Sequence, residues 1–440
     1  MVMNSLKLSL WNSYIQFDKN YTLIYNSNYD KFLLLKDFLV VNRIKNDRLD
    51  LIPPEVIKDL IACGMLVGKN VDEPSLLENT IKTVDENQSV FNLIINPTLN
   101  CNFKCWYCYE EHKAQSRMTD SSIIAVKKLI DRIASNSKLE ILNLSFFGGE
   151  PLLQFDRVVV PIIEYASEIC SNNSVRLNVQ FTTNGALINN KILSFLREFN
   201  TSFQITLDGG KYFHDKTRFF NSGKPSYDII VDNIFEIAKF NMNVVVRINY
   251  TLQNYQSITE IFERFRLIDP STRVNLSIDL QPVWQENENL SSNHEHKEFL
   301  SNIKKKFEIA GFPVSHKAVF NYVVNSCYAD KRNEVLINYN LDVFSCTARD
   351  FITEQRMGKL LPDGRVRWEN NSLETKMNCK FKKSICRRCR IAPICGSGCR
   401  TKNLENPHEN CNLNLSDDQI DDLILERFEL YYINPNTELQ

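Results

Sequence analysis

Cysteines are the residues whose number and spacing most clearly indicate chemistry in this chain. There are 13 in 440 residues, with three close together at Cys101, Cys105 and Cys108 and eight more between residues 327 and 411. An odd number of cysteines is poor evidence for a disulfide framework in a large chain, whereas clustered thiolates are typical metal ligands. The clustering therefore predicts metal sites.

The composition is that of an ordinary globular protein and argues against several functional classes. The residues are 43% hydrophobic and 24% charged, and the formal net charge is -1. These values exclude wholesale disorder and argue against a general nucleic-acid binder. No apolar run approaches the about 20 residues of a membrane span, and the first residues lack the pattern of a signal peptide. We therefore expect a cytoplasmic protein that contacts neither nucleic acid nor membrane.

Alternating strand and helix patterns between residues 91 and 310 predict the scaffold that positions the cysteines. Strand-like apolar runs lie at 91–96, 140–147, 175–183, 202–207, 244–250 and 274–283. Helical periodicity is found at 120–135, 157–170, 189–199, 227–240, 255–266 and 296–310. Apolar runs buried on both faces and separated by helices predict an α/β fold with a parallel sheet, open or curled into a partial (β/α)6 barrel. Its active site should lie at the carboxyl ends of the strands.

The regions on either side of this pattern are expected to form separate domains. Residues 1–85 combine strand-like stretches with a helix after Pro53 and Pro54, an order that suits a winged-helix-like module, and the polar residues 85–89 are expected to form a linker. The barrel is expected at 90–312. From 313 to 415 cysteines dominate, so metal rather than an apolar core should hold that domain together. Ser416 and Gln419 form a potential capping box for a helix in the C-terminal segment 416–440.

The cysteine triplet carries the signature of a known family. Cys101-x3-Cys105-x2-Cys108, with Tyr107 before the last cysteine and directly after a strand, resembles the motif of radical S-adenosylmethionine (SAM) enzymes. The resemblance implies a [4Fe–4S] cluster on the three thiolates, with SAM chelating the fourth iron. It also implies one-electron cleavage of SAM to a 5′-deoxyadenosyl radical that abstracts a hydrogen atom. Zinc with His112 as a fourth ligand, or free thiols, are the alternatives.

Four further motifs lie at predicted strand ends, in the order that this family shows. They are Gly148-Gly149-Glu150-Pro151, Thr182-Thr183-Asn184-Gly185, Thr206-Leu207-Asp208-Gly209 and His214-Asp215-x-x-Arg218. The resemblance implies that the backbone of the first motif contacts the amino group of SAM, where glycines allow close approach, and Arg218 is the candidate for its carboxylate. The cofactor-binding residues implied in this way are Tyr107, Gly148, Gly149, Glu150, Thr183, Asn184, Thr206, Asp208 and Arg218. Each motif alone could be an ordinary loop, but their common order favours the family.

The C-terminal cysteines resemble a second known module. The spacing Cys386-x2-Cys389-x5-Cys395-x3-Cys399-x11-Cys411, with Cys327 and Cys346 upstream, is similar to the SPASM extension, which carries two auxiliary [4Fe–4S] clusters. The resemblance implies that the outer cluster is held by Cys386, Cys389, Cys395 and Cys411. It implies that the inner cluster is held by Cys327, Cys346 and Cys399.

Three points in this module stay open. The inner cluster could take Cys379 as its fourth ligand or leave one iron open to substrate. Leu341 stands where the family has a glycine, five residues before Cys346, so the hairpin there is expected to turn differently, through Asn340. A zinc ribbon on Cys386 and Cys389 is the alternative to the outer cluster.

The substrate class follows from the same resemblance. SPASM enzymes mostly act on peptides or proteins, and sulfatase-maturing members typically place an Asp directly after the second SPASM cysteine. Here Thr347 follows Cys346, which counts against that activity. Residues 1–85 resemble the winged-helix elements with which peptide maturases bind a leader peptide as an added strand. A structural cap on the barrel is the alternative for this region.

We therefore predict a radical SAM peptide-modifying oxidoreductase with three [4Fe–4S] clusters. It would abstract hydrogen from a ribosomally made precursor peptide and form a crosslink, most simply a Cys thioether, using an electron donor such as flavodoxin or ferredoxin. The alternatives are a C–C (cyclophane-type) crosslink, sulfatase maturation to formylglycine, or a non-catalytic iron–sulfur or zinc protein that binds a peptide. Hydrogen abstraction needs no base, so no acid–base residue is nominated. Asp279 and Glu286 are candidates for substrate contact.

Overall fold

The computed structural model describes residues 5–283, 285, 294–316 and 320–433 and divides the chain into two compact units. The first unit contains Met1–Asn87, His316–Arg332 and Leu373–Gln440, and the second contains Gln88–Ser315 and Asn333–Ser372. Residues 333–372, which the sequence assigned to the cysteine-rich region, thus belong to the unit of the alternating strands and helices. The division into four domains remains a prediction. In the described ranges, no helix has both the length and the apolar character that a membrane span requires.

The N-terminal part of the first unit combines two small antiparallel sheets with three helices. The strands are β1 (Leu6–Leu8), β2 (Asn12–Gln16), β3 (Thr22–Asn26), β4 (Lys31–Leu35) and β5 (Leu66–Gly68). The helices are α1 (Phe38–Lys45), α2 (Pro54–Ala62) and α3 (Glu73–Asp85). β1 pairs with β5, and β2, β3 and β4 form a meander. The helix after Pro53 is confirmed, while a winged-helix module and its role in leader recognition remain predictions.

Helix α3 and its last residue were not expected from the sequence. Asp72 caps the helix, because its side chain accepts a hydrogen bond from the backbone N–H of Ser75. Asp85 was expected in a polar linker, but its side chain is only 1% exposed and belongs to the helix. The linker prediction was therefore wrong at this position.

Six parallel strands in sequential order form the centre of the second unit. They are β6 (Val90–Ile95), β7 (Ile141–Phe146), β8 (Arg176–Thr183), β9 (Asn200–Asp208), β10 (Asn243–Tyr250) and β11 (Leu276–Pro282). The helices of this unit are α4 (Asp120–Ala134), α5 (Val160–Asn172), α6 (Asn190–Leu196), α7 (Lys211–Thr217), α8 (Tyr227–Lys239), α9 (Ile258–Phe265), α10 (Pro270–Arg273) and α11 (His294–Ile309). The α/β class with a mostly parallel sheet is confirmed, and closure into a partial barrel remains a prediction.

The two faces of this sheet differ, contrary to the expectation that both would be apolar and buried. On one face, side chains such as Leu144, Phe181 and Ile205 are at most 1% exposed and belong to the main hydrophobic core. On the other face, their neighbours in the strands, such as Ser145 and Gln180, are polar and less buried. The sheet therefore presents one open polar face.

A ladder of asparagine side chains crosses the polar face. Asn143 donates to Asn92 at 3.0 Å, Asn178 donates to Asn143 at 2.8 Å, and Asn200 donates to Asn178 at 2.7 Å. The four residues occupy matching register positions on β6, β7, β8 and β9. Each side-chain amide forms a hydrogen bond with the next one. The ladder therefore fixes the register of four strands without an apolar layer.

Four short strands from residues 333–372 extend the same sheet. They are β12 (Glu334–Ile337), β13 (Asp342–Phe344), β14 (Gly358–Leu360) and β15 (Val366–Trp368). β12 pairs in parallel with β6, and the next three strands follow as an antiparallel meander. β13, which leads to Cys346, is therefore connected through β12 to β6, the strand that leads to the cysteine triplet.

The β12–β13 hairpin has a four-residue turn that ends at Leu341. Leu341 adopts a positive φ of 70° and donates its backbone N–H to the carbonyl of Asn338 at 2.8 Å. The turn spans residues 338–341 and includes the expected Asn340, while Leu341 adopts the left-handed conformation that favours glycine. This conformation costs a residue with a Cβ about 1–2 kcal/mol.

The C-terminal part of the first unit consists of short helices. They are α12 (Ser372–Met377), α13 (Ser384–Arg388), α14 (Ala392–Cys395), α15 (Arg400–Glu405) and α16 (Asp417–Phe428). The predicted capping box is confirmed, because Ser416 and Gln419 each bond the backbone N–H of the other. Ile420 and Ile424 of α16 are buried in an apolar cluster of this unit.

An ionic cluster is buried in the first unit. Arg400 pairs with Asp85 at 2.6 Å and with Asp330 at 3.3 Å, and Lys380 pairs with Asp330 at 2.9 Å. All four side chains are at most 6% exposed. Two carboxylates and two cations neutralise one another, so this cluster replaces apolar packing between α3 and the cysteine-rich segments.

Candidate functional site

The motif residues lie where neighbouring parallel strands end. β6 ends before the loop of Cys101, β7 ends before Gly148, β8 ends at Thr183 and β9 ends at Asp208. Adjacent parallel strands have their carboxyl ends at one edge of the sheet. The structure therefore brings the cysteine loop and the motifs that begin at Gly148, Thr182 and Thr206 to one edge of the sheet. This is the edge at which the sequence predicts the active site.

The three clustered thiols differ in exposure, because Cys101 is buried, Cys105 is half-buried and Cys108 is exposed. Cys101 is 8% exposed, and burial together with the Glu150 carboxylate raises its pKa to about 12. Burial is the main reason why the pKa of Cys108 is raised to about 11, and the charges of Glu110 and Cys105 act in the same direction. Cationic iron promotes ionisation of such thiols, so this donor set fits an iron–sulfur cluster.

The alternative of a zinc site involves His112. Its Nε2 lies 3.5 Å from the Sγ of Cys108. Burial lowers the pKa of this imidazole, which favours its neutral form. In the parts of the chain that are described, no three His, Cys, Asp or Glu side chains converge closely enough to hold one metal ion.

The two glycines after β7 pack against the start of the cysteine loop. A Cβ on Gly148 would lie 2.5 Å from the carbonyl oxygen of Thr98, and one on Gly149 would lie 2.3 Å from that of Asn100. Gly148 also adopts a φ of 97°. The sequence assigned these glycines to the approach of a ligand. The structure adds a second reason, since only glycine lets the backbone of residues 98–100 come so close.

Both oxygens of the Glu150 carboxylate accept hydrogen bonds from other groups of the protein. Its Oε1 accepts from the hydroxyl of Thr183 at 2.7 Å and from the N–H of Leu152 at 3.0 Å. Its Oε2 accepts from the N–H of Asn184 at 2.8 Å. Burial raises the pKa of Glu150, while these donors act in the opposite direction. Glu150 therefore ties the end of β7 to the end of β8, and its backbone rather than its side chain is available for a cofactor.

A second network joins the cysteine loop to β9 and β10. The Tyr107 hydroxyl donates to Asp208 at 2.7 Å and accepts from Arg218 at 2.8 Å and from Asn249 at 3.1 Å. Arg218 also lies 3.7 Å from the Asp208 carboxylate. Burial raises the pKa of Asp208, and the charge of Arg218 opposes this shift. Arg218 is thus held by protein groups, and its predicted contact with the SAM carboxylate remains a prediction.

His214 and Asp215 stabilise the end of β9 and the start of α8 through hydrogen bonds to the backbone. The wholly buried His214 accepts from the N–H of Asp208 at 3.2 Å, and burial holds its pKa well below the ordinary value. Asp215 accepts from the N–H groups of Ser226 and Tyr227 at the start of α8. These two residues therefore position the site without facing it.

The sequence missed a polar group between the cysteine loop and the Cys346 loop. The Tyr109 hydroxyl donates to the carbonyl of Thr347 at 2.6 Å, and Asp350 accepts from the N–H of Glu111 at 3.1 Å. Burial and the nearby Asp350 raise the pKa of Glu110 to about 8. No motif marks these residues, because the contacts join segments about 240 positions apart.

The four cysteines assigned to the outer cluster influence one another electrostatically within the first unit. Burial is the main reason why the pKa of Cys395 is raised to about 12, and the thiolates of Cys389, Cys386 and Cys411 contribute in the same direction. Burial and the same neighbours also raise the pKa of Cys386. The donors fit a cluster of their own, and this ligation remains a prediction.

The residues assigned to the inner cluster are Cys327 and Cys399 in the first unit and Cys346 in the second. Cys327 and Cys399 are exposed, and Cys346 is half-buried. Cys379 donates its thiol hydrogen to the carbonyl of Lys376 at 3.2 Å, and burial raises its pKa. Both the inner ligand set and the part of Cys379 remain predictions.

Of the two candidates for substrate contact, Asp279 is among the described residues and Glu286 is not. Asp279 lies on β11 and accepts from the side-chain amide of Gln281 at 2.6 Å. Glu286 lies outside the described residues. Thr206 is half-buried on β9 and pairs in register with Arg247 of β10, a residue that no motif singled out.

Comparison with known proteins supports the family assignment of these motifs. Residues 95–268 match the family model described as the Radical SAM superfamily. The matched range contains the cysteine triplet and every residue proposed to contact SAM.

Two relatives and one solved structure illustrate the similarity. A radical SAM cyclopropyl synthase, TigE, of Paramaledivibacter caminithermalis is 26% identical over 233 residues, which cover 48% of this chain and 46% of the relative. A cysteine-type anaerobic sulfatase-maturating enzyme of Clostridium novyi is 24% identical over 357 residues, covering 74% of this chain and 91% of the relative. The structure of anSMEcpe with bound AdoMet and Kp18Cys peptide has a TM-score of 0.59 and 16% identity, covering 80% of this chain and 100% of the other.

These findings agree with the arrangement of the motifs. The structural likeness, at its low identity, shows the shared fold. The family match covers the range that contains the cysteine triplet and the motifs at the strand ends. Residues 95–268 therefore match a radical SAM domain, and the relatives together with the shared fold support an enzyme of the radical SAM, SPASM type.

Proposed function

We propose that this enzyme is a peptide maturase that links a carbon of a ribosomally made precursor peptide to a cysteine sulfur. The observation that carries the proposal is the convergence of the cysteine loop and three cofactor motifs at one edge of the sheet, beside its open polar face. A polar face suits a substrate with many amide groups, which must keep their hydrogen bonds when they leave water.

The chain's own residues would arrange the site as follows. When bound, the [4Fe–4S] cluster and SAM supply a 5′-deoxyadenosyl radical as hydrogen acceptor. The close packing of Gly148 and Gly149 on residues 98–100 fixes the loop that carries the cluster ligands. The Tyr107 hydroxyl holds Asp208 in place for hydrogen bonding to the cofactor. These contacts order the cysteine loop and the strand ends before ligands bind, which pre-organises the site.

The proposed reaction removes two hydrogens from the peptide. The first leaves a carbon as a hydrogen atom. The second leaves a cysteine thiol as a proton when the C–S bond forms, and one electron is released in that step. We assign the acceptance of this electron to auxiliary clusters on the SPASM cysteines, which include Cys386, Cys389, Cys395 and Cys411. An external flavodoxin or ferredoxin would supply the electron that starts each cycle.

A peptide substrate is also favoured by the proteins that resemble this chain. The neighbour anSMEcpe has been solved with a peptide bound, and the Clostridium novyi relative is named for maturing a sulfatase. We further propose that residues 1–85 bind a leader segment. The outer edge of β4 pairs with no further strand in the described structure, so it could accept one.

Formylglycine formation on a sulfatase is the second candidate. It is favoured by the similarity to the Clostridium novyi enzyme along 91% of that protein. The residue after Cys346 is Thr347 rather than Asp, which removes the proton acceptor expected from that group. A C–C crosslink is the third chemistry and is favoured by the name of the cyclopropyl synthase.

One experiment separates the three products. The anaerobically reconstituted enzyme is incubated with SAM, a reductant and the peptide encoded beside its gene, and the peptide is then treated with iodoacetamide and measured by mass spectrometry. A thioether gives the loss of two hydrogens and one thiol that no longer reacts. A C–C link gives the same loss with all thiols reactive, and formylglycine gives the loss of sulfur. Cys105→Ala is the inactive comparison and Cys63→Ala the matched control.

A further inference from the structure

An arginine lies on the polar face of the sheet. Arg247 lies on β10, and its register neighbours are Thr206 on β9 and Asp279 on β11. Its charge lowers the pKa of both Asp208 and Tyr109, against the larger effect of burial on each. The guanidinium therefore lies near both the Tyr107–Asp208 network and the contact of the cysteine loop with the Cys346 loop.

The guanidinium of Arg247 has few partners. Its Nε donates to the side-chain oxygen of Asn249 at 3.2 Å. Among the described residues, no carboxylate lies within ion-pair distance of it. Asp279, its neighbour in register, is engaged by Gln281 at 2.6 Å instead. Within the described part of the chain, the two terminal nitrogens have no hydrogen-bond partner, and they are not among the buried unpaired atoms.

A half-buried guanidinium becomes costly when a substrate covers it and displaces its water, unless that substrate supplies a partner. A charge that leaves water loses hydration, and only a counter-ion with hydrogen bonds restores that free energy. The planar fork of arginine matches a carboxylate with two parallel hydrogen bonds. We infer that Arg247 binds a carboxylate of the substrate, so that the enzyme selects a peptide with an acidic residue near the reacting carbon. This inference rests on the proposed peptide-modifying function.

The carboxylate of SAM is the other potential partner, and the position of Arg247 argues against it. The SAM amino group is expected at Gly148 and Gly149, directly after β7. β10 is three strands away from β7, which is about 14 Å at the usual strand spacing. Amino and carboxylate groups share one carbon in SAM. Arg247 also pairs with Thr206, so its backbone lies two positions before the end of β9.

The test uses the full reconstituted enzyme with SAM and a display library of short random peptides that each contain one cysteine. Binders are selected with wild type, Arg247→Gln and Arg247→Lys. Arg264→Gln is the matched control, because Arg264 lies in an exposed ion pair with Asp232. We expect Asp or Glu to be enriched at one position about tenfold or more by wild type and by the control. Arg247→Gln should lose this enrichment, and Arg247→Lys should keep part of it because it retains charge without the fork.

Three outcomes would overturn the inference. The first is no acidic enrichment with wild type, including a library from which nothing is enriched. The second is equal enrichment with Arg247→Gln. The third is loss of 5′-deoxyadenosine formation without peptide in both Arg247 variants, which would assign the guanidinium to the cofactor. If wild type itself forms no 5′-deoxyadenosine, the proposed function fails and this inference falls with it. Normal formation without acidic preference refutes the inference alone.

Discussion

The glycine pair after β7 allows a sharp test of how the cysteine loop is positioned. We consider Gly148→Ala, whose new Cβ would meet the carbonyl oxygen of Thr98 at 2.5 Å. Non-bonded heavy atoms are most stable about 3.5–4.0 Å apart, so the backbone of the cysteine loop or of β7 must move by about 1 Å. Because both groups are backbone, no side-chain rotation can relieve the contact.

A second glycine provides the control for backbone strain. Gly148 has a φ of 97° and Gly311 has a φ of 87°, so alanine pays a similar penalty of about 1–2 kcal/mol at each position. A Cβ on Gly311 meets nothing within 4 Å. The two variants therefore differ in the steric clash with Thr98, which only Gly148→Ala introduces. We expect this clash to reduce the free energy of unfolding by about 1–3 kcal/mol beyond the shared backbone strain.

The functional consequence should be larger than the loss of stability. Displacement of a reacting group by about 1 Å can reduce a rate by about 100-fold. We expect Gly148→Ala to lower 5′-deoxyadenosine formation by about that factor, and Gly311→Ala to remain close to wild type. The assay is anaerobic formation of 5′-deoxyadenosine from SAM and dithionite, normalised to bound iron. If the two variants lost activity equally, the packing of Gly148 on residue 98 would not be what positions the loop.

Four further predictions concern stability and cofactor binding. Leu341→Gly should be about 1 kcal/mol more stable than Leu341→Ala in denaturant unfolding, although it has the smaller side chain, because only glycine relieves the positive φ. Tyr107→Phe should weaken SAM binding about tenfold in anaerobic equilibrium dialysis, since the hydroxyl joins Asp208, Arg218 and Asn249; binding equal to wild type would remove this network from the site. The depressed pKa of buried His214 means that the unfolded chain takes up a proton that the native state excludes, so stability should fall as pH drops below about 6.5, by at most about 1.4 kcal/mol per pH unit, with a smaller slope in His214→Gln. Asp85→Asn should cost about 3–5 kcal/mol by leaving Arg400 and Lys380 short of a counter-charge, whereas Asp232→Asn in an exposed pair should cost less than about 1 kcal/mol; similar costs would contradict the importance of burial.

The alternating strands and helices were predictable because each element carries its own pattern. The expected strand at 175–183 is observed as Arg176–Thr183, and the expected helix at 227–240 is observed as Tyr227–Lys239. The capping box at Ser416 was equally visible, since it depends on two residues three positions apart. Local sequence therefore determines these elements almost completely.

Features that depend on distant contacts could not be predicted in this way. The strand Glu334–Ile337 joins β6 although about 240 residues separate them, and its short apolar run indicates no partner. Asp85 belongs to a buried ionic cluster because Arg400 and Asp330 reach it through the fold. A polar sequence alone gave the opposite expectation, that of an exposed linker.

The same limit applies to the site. The motif positions were predicted because their residue types and order are distinctive. The open polar face was missed, because the strands contain enough apolar residues to suggest burial on both sides. Arg247 was missed as well, since a single arginine in a strand carries no signal until its neighbours in register are known.

The central claim is that the cysteine triplet supports reductive cleavage of SAM. The most direct measurement is 5′-deoxyadenosine formed per chain by the anaerobically reconstituted protein with SAM and dithionite, compared with Cys105→Ala and with the control Cys63→Ala. We expect formation by wild type and by the control, and none by Cys105→Ala. Absence of 5′-deoxyadenosine with wild type carrying its full iron, or equal formation by Cys105→Ala, would contradict the account.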